Sequence, residues 1–164
     1  DGSNPVFEGC SKLEITTTAP REGQEDYCYL HDGALYMHKG RTKREILSWI
    51  PEKKTGTVVI KEGTTEITQC SIYLTNVDKI VIPGSVKLID IYTFVSCKTP
   101  LVLELNWKTK EDVDEITTNM SDPSSFFFDG TDRSAVKVTV PKGTKSYYES
   151  HWLWSNLGGI VERP

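Results

Sequence analysis

The side chains that could carry chemistry in this sequence are three histidines, four cysteines and one run of acidic residues. None of the histidines lies in a metal-ligand spacing such as HExxH, so packing or surface roles are favoured over catalysis. They are His31, His38 and His151. The cysteines have no CxxC or CxxH spacing, which argues against a zinc site. They are Cys10, Cys28, Cys70 and Cys97. We interpret them as buried free thiols, and disulfides are the alternative if the protein is secreted.

Three short patterns could be taken for a cation site, a calcium loop or a glycosylation site, but each has a simpler explanation. The acidic run Glu111, Asp112, Asp114 and Glu115 fits the solvated start of a helix better than a cation site. The segment 129–132 is too short for a calcium loop and reads as a turn, and Asn119-Met-Ser121 fits a glycosylation sequon that arises easily by chance. The sequence contains no GxSxG motif and no phosphate-binding glycine loop. We therefore predict a protein that is not an enzyme and that has no metal site and no cofactor.

The bulk properties of the chain exclude several classes of partner. At 164 residues, a single domain over 1–164 is the natural expectation. The net charge is −4 and the sequence pI is about 5.4, so nothing resembles the basic footprint of a nucleic-acid-binding protein. No apolar run approaches the roughly 18 residues that would span a bilayer. We expect neither nucleic acid nor a transmembrane segment.

The elements that must position any functional side chain come from an internal repeat. The segment 60–67 reads Ile-Lys-Glu-Gly-Thr-Thr-Glu-Ile, and 82–89 repeats its pattern as Ile-Pro-Gly-Ser-Val-Lys-Leu-Ile at an offset of 22 residues. The same offset relates Val58 to Ile80. Repeats of about 20–30 residues are typical of solenoids, in which stacked units bury a shared core.

Around the repeats, turn and capping residues predict the remaining elements. Tyr27 to Met37 reads as a hairpin whose turn is His31-Asp32-Gly33. Thr109 is the expected N-cap of a short helix carrying Val113, Ile116 and Met120. A second helix is predicted from Thr144 to Trp154, rich in aromatic residues. Further strands are expected at Glu45–Ile50 and Val136–Val140, and an incomplete first repeat at Phe7–Ile15.

The repeat resembles a known family, the BspA-like leucine-rich repeats of bacterial, particularly Bacteroidetes-type, surface proteins. The family unit has the order I-x-I-P-x-S-V-x-x-I, followed by F-x-x-C and a leucine. The matching positions here are Ile80, Ile82, Pro83, Ser85, Val86, Ile89, Phe94, Cys97 and Leu101. Thr93 stands where the family usually has alanine, and the preceding copy departs further, with Lys61 in place of proline.

This resemblance, together with the repeat, predicts a β-rich α+β fold. In detail we expect a leucine-rich-repeat solenoid with its clearest repeats at 58–105, a hairpin insert before them and a helical, aromatic C-terminal cap at 136–164. The family also implies export to the cell surface or secretion, and adhesion rather than catalysis. It carries over no ligand and no binding residue.

The candidate binding residues follow from strand alternation. If Ile60, Ile80, Ile82, Leu103 and Val138 point inward, their neighbours point outward. These neighbours are Val59, Lys61, Lys79, Val81, Val102, Glu104, Lys137 and Thr139. The predicted function is an extracellular binding or adhesion module for a protein or glycan. The alternatives are a structural spacer in a longer repeat array and, more weakly, a glycan-degrading accessory domain.

Overall fold

A computed structural model of the chain describes residues 14–118 and 126–164. Predictions that fall on 1–13 or 119–125 lie outside these residues. They concern Phe7 to Leu13 of the incomplete first repeat, Cys10, the sequon at Asn119 and the helical position Met120.

Ten strands form two five-stranded sheets in the described residues. Sheet A has the order β1-β2-β3-β5-β7, and sheet B has the order β10-β9-β8-β6-β4. The strands of sheet A are β1 Asp26–His31, β2 Ala34–Lys39, β3 Arg44–Trp49, β5 Glu66–Ile67 and β7 Leu88–Ile89. Those of sheet B are β4 Thr55–Val59, β6 Asn76–Ile82, β8 Leu101–Leu105, β9 Val136–Val140 and β10 Ile160–Glu162. From β4 to β8 the chain alternates between the two sheets. Each of these strands therefore lies in the other sheet from the strand before it.

The two sheets differ in strand direction. Every pairing in sheet B is parallel. Sheet A is mixed, because β1, β2 and β3 pair antiparallel whereas β3, β5 and β7 pair parallel. The predicted hairpin is confirmed, since Asp32 and Gly33 both have positive φ, as a two-residue turn between twisted strands requires.

The core lies between the inner faces of the two sheets. Aliphatic residues from alternate strand positions are almost fully buried, as alternation predicts. Ile60, Ile80, Ile82, Leu103 and Val138 all have exposed fractions of 1% or less. The register places Val58 beside Ile80 and Ile67 beside Ile89, in agreement with the 22-residue offset.

The predicted leucine-rich-repeat solenoid is nevertheless wrong. The described residues form a mixed α/β fold of two sheets with two short helices. The repeat contributes two strands to sheet A, β5 and β7, and each has only two residues. The other three strands of sheet A come from the non-repeating segment 26–49. The chain between β8 and β9 is also non-repeating. The short repeat therefore supplies part of the core, and non-repeating segments enclose the rest.

The predicted helical, aromatic cap is also wrong. Helix α1 covers Lys110–Asp114, and α2 covers only Lys145–Glu149 of the expected Thr144–Trp154. The hydroxyl of Ser150 donates back to the carbonyl of Ser146, a local bond that competes with helix continuation. Beyond it the chain turns inward, so Leu153 and Trp154 are both buried while Trp152 is 37% exposed.

The aromatic residues of this region belong to the core rather than to a cover at its end. Tyr148 donates its hydroxyl to the carbonyl of Trp107 at 2.6 Å, and the rings of Trp107 and Trp154 lie 6.0 Å apart. Phe94 and Phe128 stack with their ring centroids 5.0 Å apart, and Phe127 and Phe128 are both buried. The N-cap Thr109 is confirmed, because its hydroxyl accepts a hydrogen bond from the backbone of Asp112 at 3.1 Å.

Candidate functional site

The outward side chains of sheet B form one continuous face, which we call the outer face. Strand register lines up Val59, Val81, Glu104, Thr139 and Val161 in a row that crosses all five strands. A second row contains Thr57, Lys79, Val102 and Lys137. Parallel pairing in register stacks like positions across strands, so the face is built from alternate residues of every strand.

The structure brings seven of the eight predicted residues to this face. They are Val59, Lys79, Val81, Val102, Glu104, Lys137 and Thr139. Lys61 is the exception, because β4 ends at Val59 and the chain then turns toward sheet A. The Lys61 ammonium lies 4.9 Å from the ring centroid of Tyr29 and donates to the Tyr29 hydroxyl at 2.9 Å.

Valine side chains give the outer face much of its surface. Val59 and Val161, on the two edge strands, are 53% and 59% exposed. Val81 and Val102, in the middle of the sheet, remain partly exposed. Val59 and Val81 are direct neighbours, whereas Thr139 and Glu104 separate them from Val161. Exposed apolar surface with polar neighbours is typical of interaction sites.

A cluster of charges crosses the middle of this face. The Glu104 carboxylate contacts the Lys79 ammonium at 2.5 Å and the Arg163 guanidinium at 2.5 Å. The hydrogen bond from Lys79, opposed by partial burial and helped by the nearby Arg163 charge, holds the pKa of Glu104 below its ordinary value. The side chain of Arg163 is also fixed by Asn106, which accepts a hydrogen bond at 2.8 Å. An ionised carboxylate clamped by two cations is poorly suited to act as a general acid.

Sequence reasoning missed a second polar cluster, which we call the hairpin network. Glu45 accepts a hydrogen bond from the Tyr29 hydroxyl at 2.6 Å, and its other oxygen lies 2.5 Å from Nδ1 of His38. The Lys61 backbone donates to the hydroxyl of buried Tyr36 at 3.1 Å. Burial opposes ionisation of Glu45, yet the bonds from Tyr29 and His38 hold its pKa below the ordinary value.

The polar groups of the hairpin network pair with one another, and their hydrogen bonds link the hairpin to the turn after β4. Both carboxylate oxygens of Glu45 have partners, and so does the Tyr29 hydroxyl. Its members stand far apart along the chain, so no spacing motif could have revealed them. Alternation along β1, β2 and β3 was the one available signal, because it puts Tyr29, His38 and Glu45 on the same face.

The other residues singled out from the sequence lie at the surface, in the core or in ion pairs. His31 is exposed and His151 is buried. The acidic run is partly neutralised, because the Lys87 ammonium lies 3.0 Å from both Asp112 and Glu115. Residues 14–118 and 126–164 contain no group of three His, Cys, Asp or Glu side chains that could hold a metal ion.

The cysteines in the described residues are free thiols, as predicted, but they are not all buried. Cys97 is buried, Cys70 is partly exposed and Cys28 lies exposed on the edge strand β1. Burial raises the pKa of the Cys97 thiol to about 12. Cys28 departs from the prediction because β1 is the outermost strand of sheet A, and its outward side chains lie on the solvent side.

No helix within the described ranges is long and apolar enough to cross a membrane. Comparison of the chain with protein-family models, with curated proteins and with solved structures finds no match. The resemblance to BspA-like proteins therefore stays a prediction.

Proposed function

We propose that this protein is a non-catalytic binding module that recognises a protein partner through the outer face of sheet B. The observation that carries the proposal is the row of Val59, Val81, Glu104, Thr139 and Val161, which crosses five strands in register. A sheet face with exposed valines on both edge strands offers apolar area to a partner, whereas the inner face of the same sheet is buried in the core.

The charges of the outer face indicate the chemistry of the partner. The two rows and the adjoining Arg163 carry three cations, Lys79, Lys137 and Arg163, and one carboxylate, Glu104, so their net charge is +2. The whole chain has a net charge of −4. The face thus stands out as positive in an acidic protein, and it fits a partner that combines apolar side chains with carboxylates.

A protein is favoured over a glycan on this face because the two rows contain no aromatic side chain. Sugar rings are usually bound by stacking on aromatic rings, and the aromatic residues of this chain lie elsewhere, mainly in the core and the hairpin. Display at the cell surface or secretion is part of the proposal, and it rests on the family resemblance alone.

The experiment is a binding screen of the purified chain against arrays of extracellular matrix proteins and glycans, with two matched variants. Val59→Lys combined with Val161→Lys adds charge to the exposed valines of the outer face without touching the core. Leu30→Lys makes the same type of change at an exposed apolar residue of sheet A. We expect a saturable protein ligand whose binding is lost in the first variant, kept in the second and weakened by salt.

Other outcomes of the screen point elsewhere. Binding that survives the double valine variant would overturn the assignment to the outer face. A glycan ligand would contradict the choice of partner class. The absence of any ligand for a folded sample would favour the alternative function, a structural spacer in a longer chain.

A further inference from the structure

Strand β1 is the outermost strand of sheet A, and one of its long sides has no backbone partner among the described residues. The turn Asp32–Gly33 has positive φ at both positions, so the flanking pair His31 and Ala34 is hydrogen-bonded. Hydrogen-bonded pairs alternate along an antiparallel ladder. The N–H and C=O groups of Cys28 and Leu30 therefore point away from β2.

The unpaired side of β1 is poorly protected. Natural edge strands are commonly guarded by lysine, proline, a bulge or a covering segment. The sequence of β1 is Asp-Tyr-Cys-Tyr-Leu-His, which contains neither lysine nor proline, and its register with β2 is unbroken. Cys28 is exposed and Leu30 is 38% exposed. Within 14–118 and 126–164, the one outward backbone group of β1 with a hydrogen-bond partner is the Asp26 carbonyl, which accepts from the side chain of Gln24 at 2.8 Å.

We propose that a second copy of this chain pairs with β1 along this edge, antiparallel and with the two-fold axis at Cys28. In this register, Tyr27 of each copy lies opposite Tyr29 of the other. Asp26 lies opposite Leu30, and Glu25 lies opposite His31. Aromatic pairs and acid–histidine pairs across neighbouring strands are favourable, so β1 is complementary to itself.

Neighbouring registers are less favourable. If the axis moved to Tyr29, Asp26 would lie opposite Asp32 of the other copy, and like charges directly opposite each other are destabilising. If it moved to Tyr27, His31 would lie opposite Gly23 and Leu30 opposite Gln24, so pairing would run past the end of the strand. The axis at Cys28 is thus the register that uses all of β1 without a charge clash.

A second copy is favoured over an unrelated strand because the pairing strand must place an acid opposite His31 and a histidine opposite Glu25. The segment formed by Glu25 and β1 does both when it is read in the antiparallel direction, from His31 back to Glu25. The proposed pairing involves sheet A and the proposed function involves sheet B, so each can be tested without the other.

The register makes a proximity prediction for the two Cys28 thiols. Residues that face each other in a hydrogen-bonded antiparallel pair have Cα atoms about 5.5 Å apart. A disulfide requires about 4.4–6.8 Å, so the two thiols are within reach of each other. With diamide as the oxidant, the two thiols form one disulfide while diamide takes up the two electrons and two protons. The disulfide reports the pairing and is not needed for it.

The test is sedimentation velocity of the full chain under reducing conditions over a wide concentration series. We expect a concentration-dependent dimer. Cys28→Pro removes an N–H that points away from β2, a position where an edge strand tolerates proline. Leu30→Glu places a carboxylate opposite Asp26 of the other copy, and like charges directly opposite each other are destabilising. Both should give monomers, whereas Val161→Glu, the same change on the edge strand of sheet B, should keep the dimer.

Crosslinking supplies an independent readout. Diamide should convert the wild-type chain to a covalent dimer, and Cys28→Ser should abolish that product. A monomer at every concentration would overturn the proposal, and so would a dimer that survives Leu30→Glu or a crosslink that forms equally in Cys28→Ser. Circular dichroism checks that Cys28→Pro is folded, and if it is not, Leu30→Glu decides.

Discussion

A buried histidine should make the stability of this protein depend on pH. His151 is only 5% exposed. Its Nδ1 accepts a hydrogen bond from the backbone of Leu153 at 3.3 Å, while its Nε2 has no partner among the described residues. Burial lowers the pKa of His151 to about 4, although the nearby Asp114 carboxylate acts in the opposite direction. The folded protein thus holds this ring neutral where an exposed histidine becomes charged.

The sign and size of the effect follow from proton linkage. An unfolded histidine titrates near pH 6.5. Between about pH 6.5 and 4 the unfolded chain binds the proton and the folded chain does not, so the free energy of unfolding falls as the pH falls. With a folded pKa of about 4, the loss at His151 amounts to about 2 kcal/mol between pH 7.5 and 5, and it approaches about 3 kcal/mol below pH 4.

The assay is urea unfolding at several pH values across this window, followed by tryptophan fluorescence. The test variant is His151→Asn, whose amide oxygen can still accept from Leu153 but does not titrate. It should be less stable at pH 7.5, because the ring leaves a cavity, and nearly independent of pH down to 5. His31→Asn, at an exposed position, should keep the wild-type slope.

Two results would refute this reasoning. The first is a wild-type unfolding free energy that stays flat between pH 7.5 and 5. The second is a slope that persists unchanged in His151→Asn, since another group would then be responsible.

Three further predictions test other parts of the structure. Glu45→Gln should lower the free energy of unfolding by about 2 kcal/mol, because it removes the charged acceptor of the hairpin network; an unchanged urea midpoint would contradict this role. Gly158→Ala should destabilise the fold by about 3 kcal/mol, since its new Cβ would lie 1.9 Å from the carbonyl oxygen of Ser134; a wild-type melting temperature would show that this approach is not tight. In the native protein iodoacetamide should label Cys28 and spare Cys97, whose thiol is buried; mass spectrometry of the labelled peptides checks this, and prompt labelling of Cys97 would contradict its burial.

Local patterns account for the features that were predicted well. Alternation of apolar residues identified four of the five strands of sheet B and their inward positions, because side chains on a strand change face at every residue. The fifth strand, β10, was not predicted. The Asp32–Gly33 turn and the N-cap Thr109 were also predicted, since each depends on backbone geometry within a few residues. The outer face follows from the same alternation, so most of its residues could be named in advance.

The erroneous predictions concern how far a pattern extends. A repeat that is clear over 58–105 was extended to a solenoid over the whole chain, although most of sheet A comes from non-repeating residues. The Thr144–Trp154 segment contains aromatic residues at plausible helical spacing, yet α2 ends at Glu149. Burial of Leu153 and Trp154 stabilises the turned conformation more than continued helix could.

By itself, the sequence determined most of the strands, the hairpin turn, the first helix cap and the alternation that separates the core from the outer face. Only the tertiary structure decided which distant residues meet: Arg163 with Glu104 on sheet B, and Lys61, in the turn after β4, with Tyr29 of the hairpin. The physical reason is the distance along the chain over which each feature is determined. Strand alternation and turn conformation are set by the sterics of adjacent residues, whereas these contacts depend on sheet twist, strand order and packing, which no spacing along the chain encodes.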